Sequence, residues 1–349
     1  MFGSDFGSQT PNPSLNGSLA TFFETTPHDF GTDLLNRREN KITYVANLQW
    51  AVSDQVNTYL SVSSGFKAGG FNAIAFGPTP QEAEVDNEEL ISYELGVKAR
   101  LFDGAAQFSA AYFLTEFEDL QVAQFAGDTT FIVQNAAEAE SQGLELEARF
   151  QISKDLSVSV AGALTDFEFT SFPQAACTTQ QVQALRQATF NQGTALLGDG
   201  NLANDDAGFA AQLFGSLQTI GNCSALGINN LRGRTTDQVP DFTAQLGVDY
   251  HLEFGRGFAI DTLAEVAYTD SQFRQTDLDP LTRSGSFAKT NLSLALYRSG
   301  MPWTLRLVGR NIFDKNTFSY VNDIPLLDNA RTQIVDRPRT IKLQLEYDF

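Results

Sequence analysis

The residues of this chain that look most capable of chemistry are carboxylates in rows. Glu145 and Glu147 recur at every second position and are followed by Arg149; Lys98 and Arg100 repeat the spacing, as do Lys342, Gln344, Glu346 and Asp348. Paired carboxylates can divide acid and base roles when they face each other across a substrate. A spacing of two in an extended chain instead puts every member on one face of a sheet. Such rows wet one side of a strand. There are two histidines, His28 and His251. A Ser–His–Asp triad is compatible with the residue counts, but no Gly-x-Ser-x-Gly elbow appears. The reading is a chain that is not an enzyme, with no catalytic, cofactor or metal-ligating set.

The rows belong to alternating strands, and the last one is the clearest. Ile341, Leu343, Leu345, Tyr347 and Phe349 fall on one face; Lys342, Gln344, Glu346 and Asp348 fall on the other. A strand of a soluble sandwich alternates too. In lipid, a closed barrel is the arrangement that keeps such strands' backbone groups paired.

Composition narrows the classes. The net charge of −19 argues against nucleic acid, whose phosphates need a basic face. Mean hydropathy is −0.19, and no apolar run approaches the ~18 residues of a transmembrane helix. A barrel survives this test, because half of each of its strands faces water. Met1-Phe2-Gly3-Ser4-Asp5-Phe6 has neither a basic region nor an apolar core, so no secretory signal is read there.

About eleven strands follow from the alternation. They run near 42–52, 56–65, 91–101, 106–117, 143–152, 156–169, 242–252, 258–268, 290–297, 303–312 and 341–349. Their connections alternate short and long. Tight bends sit at Ser53, Asp103-Gly104, Ser153, Gly255 and Ser299; long segments span Lys67–Glu89, Asp119–Gln134, Ser171–Pro240, Phe273–Phe287 and Lys315–Arg337. Bacterial outer-membrane barrels have this asymmetry, with short turns on the periplasmic rim and long loops outside. Tyr44, Tyr93, Tyr112, Tyr250, Tyr268 and Trp303 are candidates for the interfacial girdles. Cys177 and Cys223 are the only cysteines and share the longest loop. On an oxidising cell surface a disulfide between them is expected. Val182 and Leu185 predict a short helix over 179–189.

An odd strand count leaves two edges that cannot close in the usual antiparallel way. The expectation is a piece of a larger barrel, with residues 1–39 as an extracellular loop remnant and 40–349 as barrel.

The quoted strands also resemble a family. Tyr59-Leu60-Ser61-Val62-Ser63-Ser64-Gly65-Phe66-Lys67-Ala68-Gly69-Gly70-Phe71-Asn72 looks like a strand of TonB-dependent outer-membrane receptors. So do Tyr93-Glu94-Leu95-Gly96-Val97-Lys98, the stretch from Asn135 through Gly143 to Glu147, and Gly309-Arg310-Asn311-Ile312-Phe313-Asp314-Lys315. One departure is Asn87-Glu88, where the family pattern has proline. The resemblance implies an all-β, antiparallel transmembrane barrel of 22 strands, of which this chain supplies the C-terminal eleven. It implies a plug domain upstream, the TonB energy-transducing system as partner through that plug, outer-membrane lipid around the strands, and the barrel assembly machinery reading Tyr347 and Phe349 as its C-terminal signal. It implies import of a large nutrient, a ferric siderophore foremost. Loop residues able to hold an anionic chelate by charge and stacking are Phe71, Phe76, Phe273, Arg274, Arg283 and Tyr320. Vitamin B12, haem and oligosaccharide remain alternative cargoes. A passive porin and a secreted β-rich binding module remain alternative classes.

Overall fold

The computed structural model describes residues 37–72, 84–125, 131–185, 187, 223–224, 228–324 and 330–349. Phe76, His28 and the proposed loop remnant up to residue 36 lie outside them. Eleven strands form one antiparallel sheet in chain order. They are β1 (Val45–Ser53), β2 (Val56–Lys67), β3 (Glu88–Leu101), β4 (Ala106–Phe125), β5 (Phe131–Ser153) and β6 (Leu156–Ser171). After the longest connection come β7 (Phe242–Phe254), β8 (Phe258–Thr269), β9 (Phe287–Arg298), β10 (Trp303–Arg310) and β11 (Thr340–Tyr347). Because every neighbour in the sheet is also a neighbour in sequence, all five tight turns share one rim. The sheet is open, with β1 and β11 at its edges.

Register turns the alternation of each strand into continuous bands. Leu48, Leu60, Leu95, Tyr112, Leu144, Leu164 and Phe242 stand side by side across seven strands. Nearer the turns, Leu252, Ile260, Leu296, Leu305 and Leu345 form another such row. The opposite face carries Asn57, Lys98, Ser109, Glu147, Ala161, Gln245, Ala267 and Lys289 in one row. Leu263 and Val308 are apolar exceptions on that polar face, beside Asp249, Ser293 and Lys342. The apolar face is left bare: Leu95 is 59% exposed and Leu345 72%.

The two faces exchange character at one level. On β4, β5 and β6 the apolar face ends at Gln142 and Asp166, which are paired across the strands. The next row on that face is Glu116, Glu140 and Glu168. At the same height the other face turns aromatic, with Phe117 and Phe169 flanking Ala139. From Gln142 to the turn at Ser153 the strand covers about 36 Å at about 3.3 Å per residue. At the about 45° tilt of barrel strands this is about 25 Å of height, the thickness of the apolar band of an outer-membrane barrel. Above it, β5 continues: its 23 residues far exceed the roughly 9–11 that cross a bilayer. The segment 119–134, expected as a loop, is therefore largely a strand pair. Its register shifts around Phe117 and Leu120, where Asp119 takes a φ of 53°. That bulge interrupts the period of two.

Several motif residues hold this framework together. A side chain at Gly96 would collide with the Tyr59 ring on β2, and one at Gly143 with Phe113 and the Leu164 carbonyl. Each glycine is thus a slot for an aromatic on the polar face. Asn72 substitutes for a strand by donating to the Val133 carbonyl at 2.7 Å and accepting from its N–H at 2.8 Å. Asn135 does the same for Asp86, at 2.8 and 2.7 Å. Asn311 ends β10 with a φ of 50°, which asparagine tolerates. Its buried amide donates to the Lys315 carbonyl at 3.0 Å and accepts from the Lys315 N–H at 2.9 Å. Asp314 then accepts from the Arg339 N–H at 2.9 Å, so the returning chain is caught where it left. Asn311→Ala is expected to cost about 2 kcal/mol through two lost bonds at a buried turn. Phe313→Ala, at a 76% exposed neighbour, should be near neutral. Denaturant unfolding in detergent micelles reads both; equal stability of the two variants would contradict the assignment.

Candidate functional site

The β6–β7 and β8–β9 connections meet above the sheet and bury a core together with the β4–β5 pair. Phe169, Phe172, Ala175, Leu231 and Leu278 are its centre, with Val122, Ala137 and Ala139 from the β4–β5 pair. Phe167 meets Phe169 edge-on at 5.3 Å, and Phe169 meets Phe172 at 4.9 Å. The aromatic turnover of the polar face is what this crown sits on.

The β6–β7 connection is tied by a Cys177–Cys223 disulfide with Cα atoms 5.7 Å apart. Directly after Cys177, a helix covers 179–185. Thr178 and Gln181 start it as a reciprocal capping box: the Gln181 N–H donates to Thr178 Oγ1 at 3.3 Å, and the Thr178 N–H donates to Gln181 Oε1 at 2.9 Å. Against this helix lies the segment Asp277-Leu278-Asp279-Pro280-Leu281 of the β8–β9 connection. Between them is a cavity of about 600 Å³, lined also by Thr178, Gln180, Asn229 and Arg234. Its size suits a small organic ligand.

A charged junction closes one side. Arg331, from the β10–β11 connection, meets the fully buried Asp279 at 2.7 Å and Asp323 at 3.0 Å. Thr179 donates to Asp323 at 2.8 Å. Asp279 also accepts from the Leu281 N–H at 2.8 Å. Asp277 accepts from the Asp279 N–H at 3.1 Å. Arg331 pairs with two of the three carboxylates, and Asp277 has no ion-pair partner among the described residues. Burial pushes its carboxyl up to about 7, with the neighbouring Asp279 and Asp323 charges adding to the rise. The amide nitrogen and oxygen of Gln180 are buried without a partner among the described residues.

The residues singled out in the sequence fall into separate groups. Phe273 and Arg283 come together, the guanidinium lying 5.6 Å from the ring centre. Arg283 is exposed and donates to Ser271 at 2.7 Å. Arg274 is buried: its Nε donates to Ser284 at 3.2 Å and its guanidinium lies 6.0 Å from the Phe318 ring. Desolvation lowers its pKa, opposed by the charge of Asp336. Phe71 sits on a separate two-residue ribbon with Glu84, and Tyr320 is exposed on the ribbon of Phe318–Asp323. Sequence reading missed Asp277, Asp279, Asp323 and Arg331. The Asp-x-Asp-Pro run was the available sign, but the pairing across loops was not. On the polar face of the sheet, His251 Nδ1 lies 2.6 Å from Asp261, and its Nε2 faces Glu253 at 3.5 Å. A carboxylate stands where a triad would place its nucleophile.

Asp277 makes the crown pH-sensitive. Its folded-state pKa is raised, so ionising it opposes loop docking. That cost is absent below the ordinary carboxylate range, grows as pH rises toward about 7, and is constant above. Proteolysis of the segment 270–286 in the folded protein is therefore expected to be slower at pH 5 than at pH 8. Asp277→Asn should abolish the difference. A pH-independent cleavage rate in the parent protein would refute it.

Comparisons with known proteins agree on one architecture. The family profile described as TonB dependent receptor-like, beta-barrel matches residues 8–312. The pesticin receptor of Yersinia pestis is 29% identical over 123 residues, which is 35% of this chain and 18% of that protein. The metal-pseudopaline receptor CntO of Pseudomonas aeruginosa (strain UCBPP-PA14) is 25% identical over 261 residues, 71% of this chain and 36% of that one. The crystal structure of the ferric yersiniabactin uptake receptor FyuA from Yersinia pestis superposes with a TM-score of 0.60 at 20% identity, covering 87% of this chain and 37% of FyuA. The chain thus spans well under half the length of the relatives it matches. With eleven consecutive antiparallel strands, tight turns on one rim and a match over most of its length, this chain belongs to the TonB dependent receptor-like β-barrel family.

Proposed function

We propose that these eleven strands are one arc of an outer-membrane receptor that imports a metal chelate, a ferric siderophore foremost, driven by TonB. The observation that carries the reading is the pair of bands: one face of the sheet is apolar for about 25 Å of height and the other is charged. The apolar face meets lipid. The polar face lines a lumen that holds a plug, and the plug carries the contact to TonB. Residues up to 39 belong to a loop leading into the barrel; residues 40–349 are barrel.

The open edges support completion by further strands. β1 and β11 both run from the loop rim to the turn rim, since β1 leads into a tight turn and β11 follows a long connection. Their free backbone groups need antiparallel neighbours in lipid. The complement is an odd number of strands whose outer two run the opposite way. Eleven more would give the 22 strands of plugged transporters.

Names of the relatives support the cargo class: yersiniabactin for one, a metal–pseudopaline complex for another. The crown offers what an anionic chelate requires. Arg283 on Phe273 presents an exposed charge on an aromatic platform, and Arg274 is a desolvated cation without an ion-pair partner among the described residues. Phe71, Phe76 and Tyr320 are further candidate contacts. No step of this function requires bond-making by the chain.

The full-length receptor, produced in a bacterium stripped of its own chelate receptors, should restore uptake of radiolabelled iron from a panel of siderophores only when TonB is present. Uptake without TonB would point to a passive channel, and a protein that stays in the soluble fraction would point to a secreted module. Arg283→Ser should raise the half-saturating chelate concentration about tenfold, about 1.4 kcal/mol, with unchanged thermal stability.

A further inference from the structure

On the turn rim one charge is out of place. On the described residues of the eleven strands, the lysines and arginines occupy the polar face, with Arg298 as the exception. Its register partner is Phe258, in the row of the apolar face. A cation near the middle of that band costs about 2–4 kcal/mol, falling to about 0–1 near the interface. Arg298 is the last residue of β9, at the interface.

It is also held in place. Its Nε donates to the Arg256 carbonyl at 3.1 Å, and its guanidinium lies 5.5 Å from the centre of the Phe258 ring. The Arg256 carbonyl is presented by a turn in which Arg256 has φ 66° and Gly257 φ 77°. That turn is joined to the next by Ser299 donating to Gly257 at 2.8 Å. Neither Arg256 nor Arg298 forms an ion pair with a described carboxylate. Around them is an aromatic shelf: Phe254 stacks on Phe258 at 5.9 Å, Phe258 meets Trp303 at 6.4 Å, and Trp303 is paired with Tyr347.

We propose that this corner is a seat for an anionic phospholipid of the periplasmic leaflet. Arg298 and Arg256 take the headgroup phosphate, and the acyl chains lie on Phe258, Trp303 and the rows above. Two cations free of ion pairs among the described residues attract an anion at headgroup depth. The Phe258 ring and the Arg256 carbonyl fix one guanidinium edge, which leaves the other to face the leaflet as a fork for phosphate oxygens. The Trp303 and Tyr347 rings set the depth. The inference rests on the membrane-spanning reading.

The test is native mass spectrometry of the full-length receptor released from nanodiscs containing equal phosphatidylglycerol and phosphatidylcholine. At least fivefold enrichment of phosphatidylglycerol adducts is expected, falling to parity in the Arg256→Gln/Arg298→Gln double variant and partly restored with Arg298→Lys. Heat-modifiable migration on gels confirms that each variant is a folded barrel. Failure of the parent to enter nanodiscs at all would overturn the membrane reading itself. Insertion with no phosphatidylglycerol preference, or enrichment unchanged in the double variant, would overturn the lipid seat alone.

Discussion

Every backbone N–H and C=O of a strand in hydrocarbon has to be paired by another strand. The rest of this structure depends on that constraint. It explains why consecutive strands stay neighbours across the whole sheet. Hydrogen bonding supplies no face preference of its own. The alternation supplies it, and register then aligns the alternation of eleven strands into bands. A slip of one residue in any strand would put a charged row into lipid.

The exchange of faces on β4 to β6 is the same constraint relaxed. Above the band, water can satisfy Glu116, Glu140 and Glu168 on the face that was apolar below. Like charges opposite one another are unfavourable in a sheet, and solvent with its ions screens them there. The other face, no longer wet, is free to take Phe117, Phe167 and Phe169, and these become the floor on which the connections fold. One set of strands therefore builds both a membrane wall and the base of a loop domain. The amide clamps at Asn72, Asn135 and Asn311 stitch the boundary between the two regimes, where regular pairing ends.

Much of the sheet was legible from the chain alone. The period of two and the turns at Asp103-Gly104, Ser153 and Gly255 located each strand, because both signals are local. The extension of the β4–β5 pair was not. The bulge at Asp119 breaks the period, and the polar outer row above Gln142 imitates a loop. The candidate ligand contacts were chosen by residue type and separated on folding: Arg283 reached the surface beside Phe273, whereas Arg274 went inside against Phe318. The junction of Asp279, Asp323 and Arg331 joins residues 44 or more positions apart in two loops, with Asp323 and Arg331 eight apart. No local pattern announces such a pairing.

The common heading of the two border strands bears on how crowded copies behave. Receptors inserted side by side in one bilayer share an orientation. Where two copies of this sheet meet edge to edge, the β11 margin of one confronts the β1 margin of the next running alongside it, not against it. The ladder that both margins are built to extend is of the opposed kind. Two copies of this sheet are therefore poor partners edge to edge, without any residue dedicated to the task.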